Sequence, residues 1–340
     1  MVQYEVRYRV IQPRRHTYQN VIDRLGDRPT SRYLEATLDV QPRENFHYRP
    51  TWTPSRELYD QRFSALRLTD SYSFTDPRQY FYSSYVTTRA ALHDDFGKTL
   101  NYLEARDALA QLPAGWHAVL SSVVVPLRHY ECGAQLVSVT GARFAYGTSV
   151  EQCCSFAAFD RIGNAQMLSR VGIALDRGTG DTLKAAKRAW TNGEHLQPLR
   201  RLVEEIMVID DWAEGMLALD LIDSLIYPMI YSGLDSAALL DGAAAYSLLA
   251  QHFSAWFADQ RKWIDALVDT WSADPERGEE NRETLGRIVD TWAGRAHAAS
   301  AALAAAVDSS LPGVDSGALL ADLAATQHAQ WARIPGGAAE

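Results

Sequence analysis

The sequence predicts an all-α chain, a helical bundle behind an extended N-terminal arm. Long stretches carry apolar residues at helical spacing, and short turn-rich clusters separate them. Strand signals are nearly absent. The best one, Ser121-Ser122-Val123-Val124-Val125, sits inside a helical stretch. With 340 residues, 47% of them hydrophobic and 22% charged, the chain can bury one large core or two smaller ones. The division expected is an arm over 1–74 and a bundle over 75–335.

Prolines at 13, 29, 42, 50 and 54 interrupt the arm, and no helical period survives there. The net charge of −9 is uneven. Residues 1–67 hold 12 Arg, no Lys and 8 acids, about +4, which leaves about −13 for the rest. Arg mixed with acids and rings is unlike a nucleic-acid-binding run and suits protein contact, because guanidinium forks carboxylates and stacks on rings. Arg43, Phe46, Tyr48, Arg49 and Trp52 concentrate these groups where a flexible tether would be rich in Gly and Ser. They are the expected partner interface.

Asp76 reads as an N-cap with Pro77 at the first helical position. Helices are then expected over roughly 76–112, 115–147, 150–176, 197–231, 237–272 and 280–309. Joints fall at Leu112-Pro113-Ala114-Gly115, Asp176-Arg177-Gly178-Thr179-Gly180 and Ser272-Ala273-Asp274-Pro275. The Ala-rich run 298–307 reads as a peripheral helix. No run approaches 18 apolar residues, and Met1–Arg7 lacks a signal-peptide core, so a cytoplasmic chain without membrane contact is expected. Cys132, Cys153 and Cys154 have no metal or disulfide spacing and read as buried small residues. Dinucleotide, phosphate-loop and nucleophile-elbow motifs are missing. The one Glu-x-x-His, Glu44 to His47, lies in the proline-broken arm, where that spacing does not share a face.

Two helical strings carry the chemistry, Phe159-Asp160-Arg161-Ile162-Gly163-Asn164 and Ala258-Asp259-Gln260-Arg261-Lys262-Trp263. Residues at i and i+3 share a helix face, so Arg161 with Asn164, and Gln260 with Trp263, each point one way. In a di-iron helical bundle, two helices each give a Glu-x-x-His pair and two others each give a Glu. On that frame Arg161 and Gln260 fill the Glu positions, and Asn164 and Trp263 fill the His positions. None of the four is a suitable iron ligand. Glu131 and Glu214, 30 and 46 residues upstream, are the expected lone carboxylates. Two buried carboxylates without metal need a cation, which Arg161 supplies, so Arg161 is expected within ion-pair reach of Glu131 or another inward acid. No catalytic, cofactor-binding or metal-binding residue is expected in this chain.

With these residues in hand, the chain resembles the β (small) hydroxylase subunit of bacterial multicomponent di-iron monooxygenases, above all the phenol hydroxylase branch. The stretches that carry it are Arg15-His16-Thr17-Tyr18, Asn45-Phe46-His47-Tyr48-Arg49-Pro50, Asp76-Pro77-Arg78-Gln79, Val125-Pro126-Leu127-Arg128-His129, Asp160-Arg161-Ile162-Gly163 and Asp210-Asp211-Trp212. The resemblance implies a ferritin-like fold and a non-catalytic structural role beside a homologous α subunit that carries the di-iron centre. It also implies a small γ subunit in an α2β2γ2 hydroxylase, a coupling protein, and an NADH-fed reductase with FAD and Fe–S groups. The complex would place one oxygen atom of O2 on an aromatic ring, phenols leading.

Three rival readings stand beside it. One is an active ferritin-like metalloprotein with the atypical ligand set Glu131, Asp160, Glu214 and Asp259. Another is a subunit of a small-alkane or alkene monooxygenase. The third is a stand-alone helical binding module.

Overall fold

A computed structural model describes residues 16–26, 29–41 and 53–333. Among these residues no strand forms. Two short helices come first, α1 (Gln19–Leu25) and α2 (Arg32–Thr37). The bundle follows as α3 (Tyr82–Glu104), α4 (Ala114–Val119), α5 (Leu127–Phe144), α6 (Thr148–Leu175), α7 (Asp181–Asn192) and α8 (Gln197–Ile206). It closes with α9 (Trp212–Tyr227), α10 (Asp235–Leu240), α11 (Ala244–Ser272), α12 (Gly278–Ser310) and α13 (Ser316–Trp331).

Four helices, α5, α6, α9 and α11, surround the centre, and α3 lies against α6 and α11. Wide π turns precede α5 (Leu120–Val124) and follow α9 (Pro228–Ser232). Each sits beside a proline, Pro126 or Pro228, which cannot donate the regular helical bond. The wider turn is closed by Val125 N donating to Leu120 O and Gly233 N to Pro228 O. The strand-like Ser121–Val125 lies in the first of these turns. The segment Trp212–Leu240 is long and apolar enough to cross a bilayer, yet 78% of its most apolar window is buried, as in a core helix.

Several expectations change. Asp76 does not cap a helix: it is buried, accepts from Arg78 N at 2.9 Å and pairs with the Arg78 guanidinium at 3.0 Å. The helix begins at Tyr82, where Ser84 Oγ accepts from Phe81 N. Helix α7 was not foreseen, Met207–Asp211 interrupts the helix expected over 197–231, and Asp241–Ala243 splits 237–272. The Ala-rich run is not peripheral. It belongs to α12, packed on α9, because Ala299, Leu303, Ala304 and Val307 are small enough for close approach and are buried. Cys132 is exposed, whereas Cys153 and Cys154 are buried.

The described part of the arm is pinned to its own bundle. Phe63, Leu66, Leu68 and Phe74 join the main core, so apolar packing runs across the boundary expected at residue 74. Thr69 donates through N and Oγ1 to Asp274 at 2.7 and 2.6 Å, Arg67 N to Asn281, and Ala65 N to Asp211. These acceptor side chains sit at or near helix starts, where they can take the backbone donors of an extended chain. Arg43, Phe46, Tyr48, Arg49 and Trp52 lie outside the described residues, as do Glu44 and His47.

Candidate functional site

The centre of the bundle is a charged cage around Arg161. Glu131 on α5 and Arg161 on α6 meet as the two helices run antiparallel, with Nη1 at 3.2 Å from Glu131 Oε2. Asp223 on α9 takes the rest of the fork, accepting from Nη1 at 3.3 Å and from Nη2. Two phenols complete the carboxylates. Tyr227 OH donates to Glu131 Oε1 and Tyr130 OH to Asp223 Oδ1, both at 2.6 Å. Asn164, one turn from Arg161, donates to Tyr227 OH at 3.1 Å. The guanidinium also lies 4.8 Å from the ring centre of Trp256 on α11.

All the ionisable members of this cage are buried. Burial pushes the Glu131 and Asp223 carboxyls above the ordinary carboxylate range, against the pull of Arg161. One guanidinium facing two carboxylates leaves the cage about one negative charge in excess. Burial also opposes the charge on Arg161, but Asp223 and Glu131 outweigh it and hold it cationic. Tyr130 and Tyr227, raised first by burial and then by the adjacent carboxylates, stay neutral donors.

Glu131, Arg161 and Asn164 therefore meet as the frame required, and Arg161 has its expected ion pair. Gln260 and Trp263 are buried on α11. Gln260 Oε1 and Trp263 Nε1 have no hydrogen-bond partner among the described residues. Trp263 fills space beside Trp212, Met216 and Trp271. Glu214 is misplaced. Its Oε1 accepts from Trp292 Nε1 on α12 at 2.9 Å. Nine residues separate it from Asp223, about 900° of helix, so the two leave roughly opposite faces of α9. Asp223 is the inward acid, and its i+4 partner Tyr227 was the available signal.

A second ion network flanks the cage. Arg89, from α3, donates to both oxygens of Asp160 at 2.8 Å and to Asp259 at 2.7 Å. Tyr85 OH and Trp256 Nε1 also donate to Asp160, at 2.8 and 3.0 Å. Arg78 reaches Asp259 at 3.6 Å. The Asp that opens each motif string is thus bound by one arginine that the sequence reading had not singled out. Arg89 is the only formally charged residue between Tyr82 and His93, which was a usable clue. Arg261 similarly pairs with Asp220 and Asp265.

These residues do not fit iron. A guanidinium occupies the centre, and a positive charge there repels a metal cation while supplying no lone pair. The alternative set Glu131, Asp160, Glu214 and Asp259 does not converge, since Arg161, Arg89 and Trp292 each engage a different part of it. Among the described residues, no three His, Cys, Asp or Glu come together as a metal site.

A family model for methane/phenol/alkene hydroxylases matches residues 52–275. The oxygenase component DmpL of phenol 2-monooxygenase from Pseudomonas sp. (strain CF600) is 38% identical over 301 residues, 88% of this chain and 90% of that one. The MhpL component of phenol 2-monooxygenase from Acinetobacter pittii (strain PHEA-2) is 35% identical, covering 81% and 83%. A chain of phenol hydroxylase from Pseudomonas sp. OX1 superposes with a TM-score of 0.86 at 33% identity, over 97% of this chain and 98% of that one. More distant relatives, 20% to 24% identical, are named as small or β subunits of hydroxylase components or as the β chain of methane monooxygenase component A.

Proposed function

The chain belongs to the methane/phenol/alkene hydroxylase family, and we propose that it serves there as the non-catalytic small subunit of a phenol-type oxygenase. The carrying observation is Arg161, buried between Glu131 and Asp223 where the frame would otherwise present an iron-binding carboxylate. A chain built this way supports a partner's chemistry and performs none at its own centre. The partner is a larger homologous subunit that holds two irons, with a γ subunit completing α2β2γ2. A coupling protein and an NADH-fed reductase with FAD and Fe–S groups would visit transiently, in the cytoplasm. Phenol is the favoured substrate, because the relatives named for phenol are 38% and 35% identical. Those named for propane, toluene or methane reach only 20% to 24%.

The test is to co-express the chain with a large hydroxylase subunit, then assay iron per subunit and phenol hydroxylation. Iron should follow the large subunit, and the isolated chain should turn over no phenol. Stoichiometric iron in the isolated chain, with turnover, would overturn the reading.

A further inference from the structure

Four redox-active side chains run in file from the edge of the bundle to its centre. Tyr80, just before α3, and Tyr85, in its first turn, have ring centres 6.1 Å apart. Tyr85 OH and Trp256 Nε1 donate to the same carboxylate, Asp160. Trp256 in turn packs on Tyr227, with ring centres 5.0 Å apart. Exposure falls along this file from 8% at Tyr80 to 1% at Trp256 and Tyr227. The two ends also donate to acids, Tyr80 OH to Asp259 at 3.2 Å and Tyr227 OH to Glu131 at 2.6 Å. Phenols and indoles are the side chains most easily stripped of one electron. An oxidised phenol is so acidic that its proton must leave as well, and a carboxylate within hydrogen-bond reach can take it.

The file ends where losing an electron relieves charge. Arg161 balances only one of Glu131 and Asp223, and burial penalises the negative charge left over. If Tyr227 gives up an electron while its proton crosses to Glu131, the ring and that acid both end neutral. Arg161 then pairs one to one with Asp223. Burial already pushes the Glu131 carboxyl up, against the pull of Arg161, so it takes a proton readily. Asn164 Nδ2 donates to the Tyr227 oxygen at 3.1 Å and remains to hold it once the O–H bond is broken. Tyr130 is worse placed. Its acceptor, Asp223, is forked by both Nη atoms of Arg161 and has less capacity for a further proton.

We infer that Tyr227 is an internal electron reservoir that discharges through Trp256, Tyr85 and Tyr80 to a high-potential one-electron oxidant. The step balances. The Tyr227 O–H bond breaks, its proton bonds to Glu131 Oε1, and one electron reduces the oxidant. Oxygen-derived radicals belong to that class of oxidant in the cell, and a photogenerated ruthenium(III) tris-bipyridine complex stands for them in vitro. A one-electron reductant such as ascorbate restores the phenol as Glu131 returns the proton. No substrate turns over at the centre, so the role is a stoichiometric discharge and not catalysis. Every residue in it belongs to this chain, so the inference stands apart from the small-subunit reading.

The experiment flash-oxidises the full chain with that ruthenium complex and follows radicals by electron paramagnetic resonance. Wild type should show a long-lived tyrosyl radical that ascorbate discharges slowly, because burial shields it. Y227F should lose the long-lived signal. E131Q should slow its formation by about a hundred-fold, the typical worth of a positioned proton acceptor. W256F should slow it as well, with the acids of the cage untouched. Y246F should behave as wild type, because Tyr246 is equally buried but donates to the Ile230 carbonyl at 2.6 Å. The inference is overturned by a wild-type chain with only short-lived radicals, or by a long-lived signal that survives in Y227F or disappears in Y246F. Should Y227F fail to fold, wild type decides: its signal must narrow when the tyrosine rings are deuterated and must lose a proton coupling in D2O. Insensitivity to either label overturns the inference.

Discussion

The two arginine networks solve the same problem with different charge balance. Around Arg161, one guanidinium serves Glu131 and Asp223 in complete burial, and both carboxyls are pushed up. Around Arg89, nearer the edge, a second cation from Arg78 reaches Asp259. Burial still opposes the Asp259 charge, but Arg89 and Arg78 outweigh it and hold that carboxyl below its usual range. Two buried acids can therefore be held by a single cation, but only by leaving them short of counter-charge. An outer network with a further cation need not.

The comparison breaks most visibly at Arg161. Replacing it with Met should cost about 3–5 kcal/mol in urea unfolding, because two acids are left buried and unpaired. Much of that should return in the triple variant R161M/E131Q/D223N, whose groups are neutral. A single-variant cost below about 1 kcal/mol would mean that the cage is not the organising charge.

Arg89→Met should cost less, about 2–3 kcal/mol, since Asp160 keeps Tyr85 and Trp256 and Asp259 keeps Arg78. If R89M is costlier than R161M, the ranking of the two networks is reversed.

The two regions should also titrate in opposite senses. Glu131 and Asp223 have folded pKa values above their unfolded ones, so they favour the fold fully below the unfolded value, near about 4. That contribution is lost as pH rises through the folded value. Asp259 is depressed, so its contribution is present above the unfolded value and is lost as pH falls through the folded one. His129, held down to about 4 by burial first and then by Arg128 and Lys187, adds a loss of stability as pH falls from about 6.5. Unfolding free energies across pH 3–8 should therefore show E131Q removing a decline with rising pH. H129Q should remove a decline with falling pH. Matching slopes in wild type and either variant would refute that assignment.

The smallest effect should come from Gln260→Met, within about 1 kcal/mol of wild type. Among the described residues its Oε1 has no hydrogen-bond partner to lose, and an apolar group of similar volume suits the site.

The helical class was legible from apolar periodicity, and i, i+3 spacing told which residues share a buried helix face. Arg161 with Asn164, and Gln260 with Trp263, kept their inward face. Glu214 was misread because its upstream spacing was weighed and its phase on α9 was not; Asp223 differs from it by half a rotation. Arg89 was missed because its partners are 71 and 170 residues away, a separation that local pattern does not encode. The arm was read as partner-directed from composition, yet residues 53–74 found acceptors at helix ends that only the folded chain brings near. Breaks at 126 and 228 were hidden because π turns let the helical course continue past proline.

Arg161 has one more consequence, for nutrition rather than stability. Its positive charge is fixed to the chain, so it cannot be chelated, oxidised or displaced by a rival metal. Where metal ions neutralise clustered ligands, folding waits on their supply. Here the counter-charge is synthesised with the polypeptide, so Glu131 and Asp223 find it wherever the chain itself is made.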